Sequence, residues 1–283
     1  MAYEEQLQQS SYSKYECLLF DLDDTLYPYS SGLSLEVTKS IQEYMTQKLH
    51  IKESEVPEMC ISLYKNYGTT MAGLRAVGYN FDYDDFHGFV HGRLPYNMLK
   101  PDPVLRQLLL SVPLRKLIFT NADKAHAARV LKRLGLEDCF DGIICFETLN
   151  DPKQGNDSVN SSTGNIERNA ASGNAPGCDS ALPVTPVVCK PFEQAFEEVF
   201  KIAKINPQKT LFFDDSFRNL QTGKQTGLHT VLIGSSQRMK GADHALESIH
   251  NIREAFPELW ETNESSKGVT YSRKVSIETP VRA

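Results

Sequence analysis

Five apolar runs rich in β-branched and aromatic residues are spaced along the chain. They cover residues 17–20, 116–119, 142–145, 210–213 and 229–233. Helical patterns lie between most of them, for example at 124–134 and 192–205. Continuous apolar strands that alternate with helices are typical of a parallel sheet covered on both faces. The pattern therefore predicts an α/β fold, a doubly wound parallel sheet, with a core formed by residues 14–27 and 101–260.

A helical segment interrupts this alternation after the first strand. The first two strands are separated by about a hundred residues, whereas connections in α/β folds usually take roughly 2 to 6 residues. From Leu33 to about Lys100, apolar residues such as Val37, Ile41 and Tyr44 recur at steps of three and four, which is typical of amphipathic helices. We predict a small α-helical cap, residues 28–100, inserted after the first strand and lying over the site.

Two segments lack the composition of a packed core. Residues 151–186 are dominated by Ser, Asn, Gly and Pro and contain no aromatic residue. Such a segment cannot bury enough apolar surface to offset the entropy lost on ordering. We predict a disordered loop at 151–186, within the core, and a mobile tail at 261–283.

Composition and charge argue against several classes of function. The chain has 283 residues, a net charge of -6 and a pI near 5.7. It contains no run of Lys and Arg interleaved with aromatic residues, so binding of a nucleic-acid polymer is not expected. No stretch approaches the roughly 18 to 20 apolar residues of a membrane span, and residues 1–13 lack the apolar segment of a secretory signal.

The six cysteines form no C-x-x-C pair and suggest reduced, mostly buried thiols. We expect a cytoplasmic or nucleocytoplasmic protein with no membrane partner, and its oligomeric state stays open.

Polar residues follow nearly every predicted strand, and this is where doubly wound sheets bind ligands. They occupy positions 21–25, 120–123, 147–148 and 214–216. Asp21 and Asp23, two residues apart in an extended chain, point the same way. The repulsion between two carboxylates this close can be offset by a divalent cation. It can also be offset by a shared proton, which raises the apparent pKa of one partner and suits it for acid/base catalysis. The alternative is that these acids only mark a turn after a strand.

Four short motifs resemble those of the haloacid dehalogenase-like hydrolase superfamily, in the order that family uses. They are Asp21-Leu22-Asp23-Asp24-Thr25, Thr120-Asn121, Lys190-Pro191 and Asp214-Asp215-Ser216. All except the third follow an apolar strand, and together they cover the whole predicted core. The resemblance implies a Rossmann-like core with an inserted helical cap, and an active site that handles phosphate.

The resemblance also implies a role for each acid. Asp21 would attack phosphorus and form an aspartyl-phosphate. Asp23 would protonate the leaving oxygen and then deprotonate the water that hydrolyses the intermediate. Mg²⁺ would be held by the Asp21 carboxylate, the backbone carbonyl of Asp23 and an acid of the Asp214-Asp215 pair, with Asp215 as the preferred direct ligand.

Phosphate-binding groups follow from the same resemblance. Thr120 would donate its hydroxyl to the phosphoryl oxygens, joined by the loop amides of Leu22 and Asn121. Lys190 would supply the fixed positive charge that stabilises both the phosphate and the nucleophile.

Each of these residues also has an alternative explanation. Thr120 could be an ordinary cap of the helix that follows it. Lys190 could be a surface lysine in front of a helix that begins with proline. Asp214 and Asp215 could only cap the stretch after their strand.

Asp23 separates two reaction types within the superfamily. Dehalogenases need no acid for the leaving group and lack one two residues after the nucleophile, whereas phosphatases carry one. The resemblance therefore implies a Mg²⁺-dependent phosphomonoesterase whose partner is a small phosphorylated metabolite.

Within the superfamily, the sequence resembles most closely the pyrimidine 5'-nucleotidase branch of fungi and plants. The resemblance rests on residues 20–27 and 213–216 and on the run from Val90 to Tyr96 in the predicted cap. It implies hydrolysis of nucleoside monophosphates such as UMP and CMP, with His91 and Arg93 facing the substrate. Two alternatives stay open: a phosphatase of another small metabolite, such as pyridoxal phosphate or a sugar phosphate, and a non-enzymatic interaction protein on the same scaffold.

His87 and His91 are four residues apart and could share one helix face. Gly88 stands where a zinc protease would need Glu, so the spacing is not the H-E-x-x-H motif. We favour a role toward a planar or anionic substrate over a metal role, and packing of the histidines at the end of a cap helix is the alternative.

Overall fold

The structure, a computed structural model, describes residues 14–151, 182–237 and 239–260. Its strands are β1 (Cys17–Phe20), β2 (Arg115–Phe119), β3 (Gly142–Ile144), β4 (Thr210–Asp214), β5 (His229–Ile233) and β6 (His244–Leu246). All pair in parallel, in the order β3-β2-β1-β4-β5-β6. The predicted doubly wound parallel sheet is confirmed, and β6 extends it by one strand.

Helices cover both faces of this sheet. Their bounds are α1 (Leu33–Gln47), α2 (Val56–Tyr67), α3 (Thr70–Ala76), α4 (Tyr83–Val90), α5 (Pro103–Ser111), α6 (Lys124–Leu134), α7 (Phe146–Leu149), α8 (Glu193–Ala203), α9 (Phe217–Gln225) and α10 (Ile252–Ala255). Helices α5, α6 and α10 pack on one face. Helices α8 and α9 pack on the other. This arrangement explains why β1 is apolar at every position, since its alternate side chains enter two different cores and each is at most 2% exposed.

Helices α1 to α4 lie between β1 and α5, where the sequence predicts the cap. Their apolar faces form a hydrophobic cluster of their own, which includes Tyr44, Leu63 and Phe86. Phe146 and Val187, from the segment that follows β3, join the same cluster. The helical insert thus packs onto the sheet domain, while the limits 28–100 stay a prediction.

The bounds of β2, β4 and α8 differ from the sequence prediction by one or two residues, and the third and sixth strands show why such differences arise. The third strand ends at Ile144 because Cys145 already precedes α7, where its backbone N–H donates to the Thr148 hydroxyl at 3.2 Å. Strand β6 has three residues and a partly exposed pattern, so it carries no continuous apolar signal.

Some predictions fall on residues that the structure does not describe. These are most of the predicted loop at 151–186 and the predicted tail at 261–283. Of the six cysteines, Cys178 is also outside the described residues, whereas the other five are buried and free, as predicted. Within the described ranges, no helix has both the length and the apolar character needed to cross a bilayer.

Candidate active site

The carboxyl ends of the central strands meet at one edge of the sheet. β1 lies between β2 and β4, with Phe20 in register with both Ile118 and Phe213. The N–H of Asp21 donates to Phe213 O at 2.8 Å, so Asp21 continues directly from β1. Asp214 ends the adjacent strand β4. The strand order reverses between β1 and β4, which is where this type of sheet binds ligands.

Lys190 supplies the buried positive charge at this edge. Its side chain is 2% exposed. Its Nζ donates to Asp21 Oδ1 at 2.7 Å, to Asp214 Oδ2 at 2.8 Å and to Phe119 O at 2.7 Å. Burial acts to lower the pKa of Lys190, but the two carboxylates outweigh burial and raise the pKa above its usual value. The alternative explanation of Lys190 as a surface lysine is therefore wrong.

Asp21 is held by contacts on both of its oxygens. Oδ1 accepts from Lys190, and Oδ2 accepts from the hydroxyl of Thr25 at 3.2 Å. Burial raises the pKa of Asp21 to about 7, against the opposing effect of Lys190, and the nearby charges of Asp214 and Asp23 add to the rise. The carboxyl group is thus fixed in orientation and sits among other acids whose repulsion Lys190 offsets only in part.

Asp21, Asp214 and Asp215 together offer three oxygen ligands. One carboxylate oxygen from each lies within 4.8 Å of the others. Asp214 is fully buried, and its oxygens accept from Lys190, from the N–H of Ser216 at 2.8 Å and from Asn219 Nδ2 at 3.0 Å. Asp214 is therefore already saturated with hydrogen bonds from the protein.

Asp215 has a different environment from Asp214. It stays accessible to solvent, yet desolvation of its carboxyl group in the cleft and the charges of Asp214 and Asp21 raise its pKa to about 9. Three acids face one lysine here, and a divalent cation with a preference for hard oxygen ligands would relieve the surplus of negative charge. The donor set therefore fits Mg²⁺.

Thr120 and Asn121 follow β2 and have distinct contacts. The hydroxyl oxygen of Thr120 accepts from the N–H of Ala122 at 3.0 Å, which leaves its hydrogen available to donate. The Asn121 side chain accepts from the N–H of Lys190 at 2.9 Å and donates to Lys190 O at 3.0 Å. The cap of α6 is Asp123, not Thr120, so the explanation of Thr120 as an ordinary helix cap is wrong. Asn121 fixes the backbone from which Lys190 reaches Asp21.

Asp23 is bound on one oxygen only. Its Oδ1 lies 2.5 Å from the Tyr27 hydroxyl and 2.7 Å from Nε2 of the buried His126. The side chain of Asp23 is 32% exposed, so the carboxyl group remains accessible. Burial acts to raise its pKa, but His126 outweighs this effect and holds the pKa below its usual value. Burial likewise acts to lower the pKa of His126, and Asp23 raises it.

The other nitrogen of His126 indicates where the proton lies. The hydroxyl of Tyr96 donates to His91 O at 3.0 Å and lies 2.8 Å from His126 Nδ1. A hydroxyl has one hydrogen to donate, so Nδ1 must be the donor to Tyr96. The 2.7 Å contact of Nε2 with Asp23 then needs a proton of its own. Asp23 Oδ1 and His126 Nε2 therefore share a proton in their hydrogen bond.

The two cap residues expected at the substrate are placed differently. His91 lies beside His126, with ring centroids 4.4 Å apart, and its Nδ1 contacts Asp123 Oδ1. Arg93 turns away, because its guanidinium group pairs with Glu43 at 2.8 Å and lies over the ring of Phe89. Arg93 is about half exposed and does not line the cavity described next. The expectation that Arg93 faces the substrate is therefore corrected.

A cavity of about 510 Å³ separates the helical insert from the sheet edge. The sheet domain contributes the four predicted motifs to its wall, and the insert contributes apolar and aromatic residues. The lining includes Asp21, Asp23, Thr120, Asn121, Lys190 and Asp215, together with Ile41, Tyr64, Met71, Phe86, His87 and His91. Charged groups on one side, and apolar groups with several hydroxyl and imidazole side chains on the other, suit a phosphorylated molecule with a planar or apolar leaving group.

Sequence reasoning did not single out His126 or Tyr27. Tyr27 lies four residues beyond Asp23, and the sequence motif included it without giving it a role. His126 is 103 positions away from Asp23 along the chain, so only the packing of α6 against the end of β1 brings the two together. The available signal was that His126 falls in the first turn of a helix that begins directly after the second motif.

Comparisons with known proteins give a family and a fold. Residues 15–227 match the family described as haloacid dehalogenase-like hydrolase. Over 132 residues, 44% of this chain, the sequence is 35% identical to Phosphate metabolism protein 8 from Saccharomyces cerevisiae, with 41% of that protein covered. The chain therefore spans about two fifths of the length of this curated relative.

Solved structures share the architecture at low sequence identity. The HAD-hydrolase YfnB from Bacillus subtilis superposes with a TM-score of 0.50 at 17% identity, over 86% of this chain and 99% of that one. A HAD phosphatase from Thermococcus onnurineus gives a TM-score of 0.49, also at 17% identity, over 85% and 97% of the two chains. At such identity the likeness concerns the fold alone.

Proposed function

The chain belongs to the haloacid dehalogenase-like hydrolase family, and from this premise we propose that it is a phosphoric monoester hydrolase. We propose further that it hydrolyses pyrimidine nucleoside 5'-monophosphates through an aspartyl-phosphate on Asp21. The observation that carries the mechanism is the buried contact of Asp21 Oδ1 with Lys190 Nζ at 2.7 Å, at the wall of the cavity. The contact orients the carboxylate, and the second oxygen carries only a weak bond from Thr25.

In the first step Asp21 attacks phosphorus. The bond from phosphorus to the ester oxygen breaks as the bond to Asp21 forms, and the ester oxygen takes a proton from Asp23. Lys190 and the free hydroxyl hydrogen of Thr120 stabilise the charge on the phosphoryl oxygens. The proton that Asp23 gives up is the one it holds with His126, and the second step returns it to this pair.

In the second step water attacks phosphorus and releases inorganic phosphate. Asp23 takes the proton from this water, and the bond between Asp21 and phosphorus breaks. The same carboxyl group acts in both steps because it returns to its starting protonation state after each turnover. Tyr27 and His126 hold the carboxyl group in one orientation through both steps.

We further propose that Mg²⁺ is the metal of this site, held by the Asp21 carboxylate, the backbone carbonyl of Asp23 and the Asp215 carboxylate. Asp214 is engaged by Lys190, Ser216 and Asn219, which supports Asp215 as the direct ligand. Bound Mg²⁺ would offset phosphate charge and help to align the ester with the nucleophile.

The substrate class rests on the resemblance to the pyrimidine 5'-nucleotidase branch and on the character of the cavity. Its volume of about 510 Å³ lies within the range of about 300 to 1,000 Å³ usual for small-molecule sites. His91, Phe86 and Tyr64 give the cap side flat groups suited to a base. Tyr96, which belongs to the same resembling run as His91, supports His126 instead of facing the cavity.

Phosphate release tests this proposal. The protein is assayed with Mg²⁺ against nucleoside monophosphates, pyridoxal phosphate and sugar phosphates, with Asp21→Asn as the blank. We expect UMP and CMP to give the highest kcat/KM and Asp21→Asn to be inactive but folded. A preference for another phosphate ester would keep the mechanism and overturn the substrate. No phosphate release from any ester would favour an interaction protein on the same scaffold.

A further inference from the structure

We propose that His87, His91 and Asp123 form a second metal site, between the cap helices and the sheet domain, that takes a borderline divalent cation such as Zn²⁺. One donor atom from each residue lies within 4.8 Å of the other two. His87 and His91 are one helical turn apart at the end of α4, and Asp123 precedes α6. A cation bound here would join the helical insert to the sheet domain.

His87 is the residue that most needs a partner. Its side chain is 8% exposed, and neither Nδ1 nor Nε2 makes a hydrogen bond. It packs against the ring of Phe146, with centroids 4.7 Å apart. A buried imidazole without a hydrogen bond is costly, and a metal ion would give one of its nitrogens a ligand bond.

The spacing of the donor atoms suits tetrahedral coordination. His87 Nδ1 lies 3.6 Å from Asp123 Oδ1. Bonds of about 2.1 Å in tetrahedral geometry separate two ligand atoms by about 3.4 Å. His91 Nδ1 is in closer contact with the same oxygen, as expected of a hydrogen-bonded pair. A cation would take the place of that proton and move the two atoms apart.

Asp123 is already anchored for this role. Its Oδ2 accepts from the N–H groups of Ala125 at 3.1 Å and His126 at 3.2 Å, as the cap of α6. Oδ1 is therefore the oxygen that faces both histidines. A ligand that is fixed by a helix N-terminus loses little freedom when it binds a metal.

The chemistry of the donors separates this site from the acidic one. His87 and His91 offer imidazole nitrogens, and imidazole binds metals in its neutral form. Two imidazoles and one carboxylate leave a fourth position for water or substrate and favour Zn²⁺ over Mg²⁺. Asp21, Asp214 and Asp215 offer oxygen alone.

Cobalt binding followed by visible absorption tests the proposal. Co²⁺ replaces Zn²⁺ as a coloured probe, and saturating Mg²⁺ keeps the acidic site filled. We expect one Co²⁺ per chain with the strong visible bands of tetrahedral coordination. His87→Leu and Asp123→Asn should each weaken binding by about 100-fold. Asparagine is also a good helix cap, so Asp123→Asn retains the start of α6.

Two control variants make the result specific. His250→Gln removes a histidine that is bonded to Asp102 at 2.8 Å on the surface, and Asp215→Asn removes an acid of the other site. Both should bind Co²⁺ as the native chain does. Circular dichroism confirms that each variant is folded, and His91→Gln replaces His87→Leu if the latter is not.

Three results would overturn the proposal. The first is an affinity for Co²⁺ that is unchanged in both the histidine variant and Asp123→Asn. The second is a near-ultraviolet charge-transfer band, which would place Co²⁺ on a cysteine thiolate. The third is absence of binding to the native chain at concentrations up to about 1 mM.

Discussion

The contacts of Asp23 suit the two proton transfers that we propose for it. Tyr27 and His126 both contact Oδ1, and Asp23 lines the cavity. The hydroxyl oxygen of Tyr96 in turn accepts a hydrogen bond from His126 Nδ1. The Asp23 carboxyl group is thus held in one orientation and shares one proton with His126. His126 acts through Asp23 and is a positioning residue.

Replacement of His126 by Phe should impair the release of poor leaving groups. We expect kcat for UMP to fall by about 10- to 100-fold, a part of the effect of a general acid. Hydrolysis of an aryl phosphate should change much less, since its leaving group departs without a proton. His126→Gln, whose amide can still donate to Asp23, is the matched control and should retain more activity toward UMP. An equal loss on both substrates would contradict the role of His126.

The contacts of Lys190 with Asp21 and Asp214 should support both the stability of the folded chain and the proposed activity. Lys190→Met leaves Asp21 and Asp214 buried without their shared cation, and breaking a buried ion pair in this way costs about 3 kcal/mol. We expect the free energy of unfolding in urea, without added metal, to fall by about that amount, and activity to be lost. The double variant with Asp214→Asn should recover much of the stability and none of the activity. Unchanged stability in Lys190→Met would contradict the burial of this charge.

The sequence predicts the residues that each strand delivers to the sheet edge, because they follow directly from local patterns. Asp21, Thr120 and Asp214 are of this kind. His126 and Arg93 are not, since their positions depend on how α6 and the cap pack. Arg93 lies two residues after His91 in the turn that follows α4, yet His91 lines the cavity and Arg93 does not.

The end of helix α2 contacts the loop that carries Lys190. Gly68 follows α2 with φ of +81°, and a Cβ there would lie 2.2 Å from Lys190 O and 2.4 Å from Pro191 Cδ. No side chain fits at this point. The glycine therefore allows the cap to meet the backbone from which Lys190 extends to Asp21.

Gly68→Ala should shift this loop and lower activity. We expect kcat to fall by about 10- to 100-fold, because small misplacements of catalytic groups are costly. Gly78→Ala is a matched control, since Gly78 also has positive φ, +98°, but nothing within 4 Å of its added Cβ. Both variants carry backbone strain, and only the first meets Lys190. Equal activity of the two variants would contradict the role of the contact.

Elements were predictable where their pattern was long and continuous. β1, β5 and α6 have the expected bounds. β6 is three residues long and partly exposed, and its place is set by pairing with β5. The four separate helices of the insert could not be resolved from periodicity, because glycines and short turns break the pattern without fixing where each helix ends.

The molecule as a whole joins a sheet edge rich in acids to an apolar cap across one cavity. Asp21, Asp214 and Asp215 repel one another, with Lys190 as their shared cation. A metal ion that binds only the folded chain must therefore stabilise it. This coupling links the stability of the whole protein to the proposed Mg²⁺ site.

Mg²⁺ should raise the thermal stability of the native chain. At a concentration about 100 times Kd the gain is about 2.7 kcal/mol, measured as a rise in Tm. Asp215→Asn should be more stable than the native chain without metal and should lose the rise with Mg²⁺. Asp84→Asn, an exposed acid of α4, is the control and should keep the rise. The same Mg²⁺ effect in Asp215→Asn would contradict the assignment of Asp215.

The proposed mechanism depends on an aspartyl-phosphate on Asp21, and this species can be detected. Asp23→Asn should transfer phosphoryl from an aryl phosphate, which needs no acid, and then accumulate the intermediate because no base activates water. After an acid quench, mass spectrometry of the peptides should find the phosphoryl group on Asp21, and on no residue in the Asp21→Asn variant. Hydrolysis by the native chain with the phosphoryl group on another residue, or with Asp21→Asn still active, would contradict the mechanism.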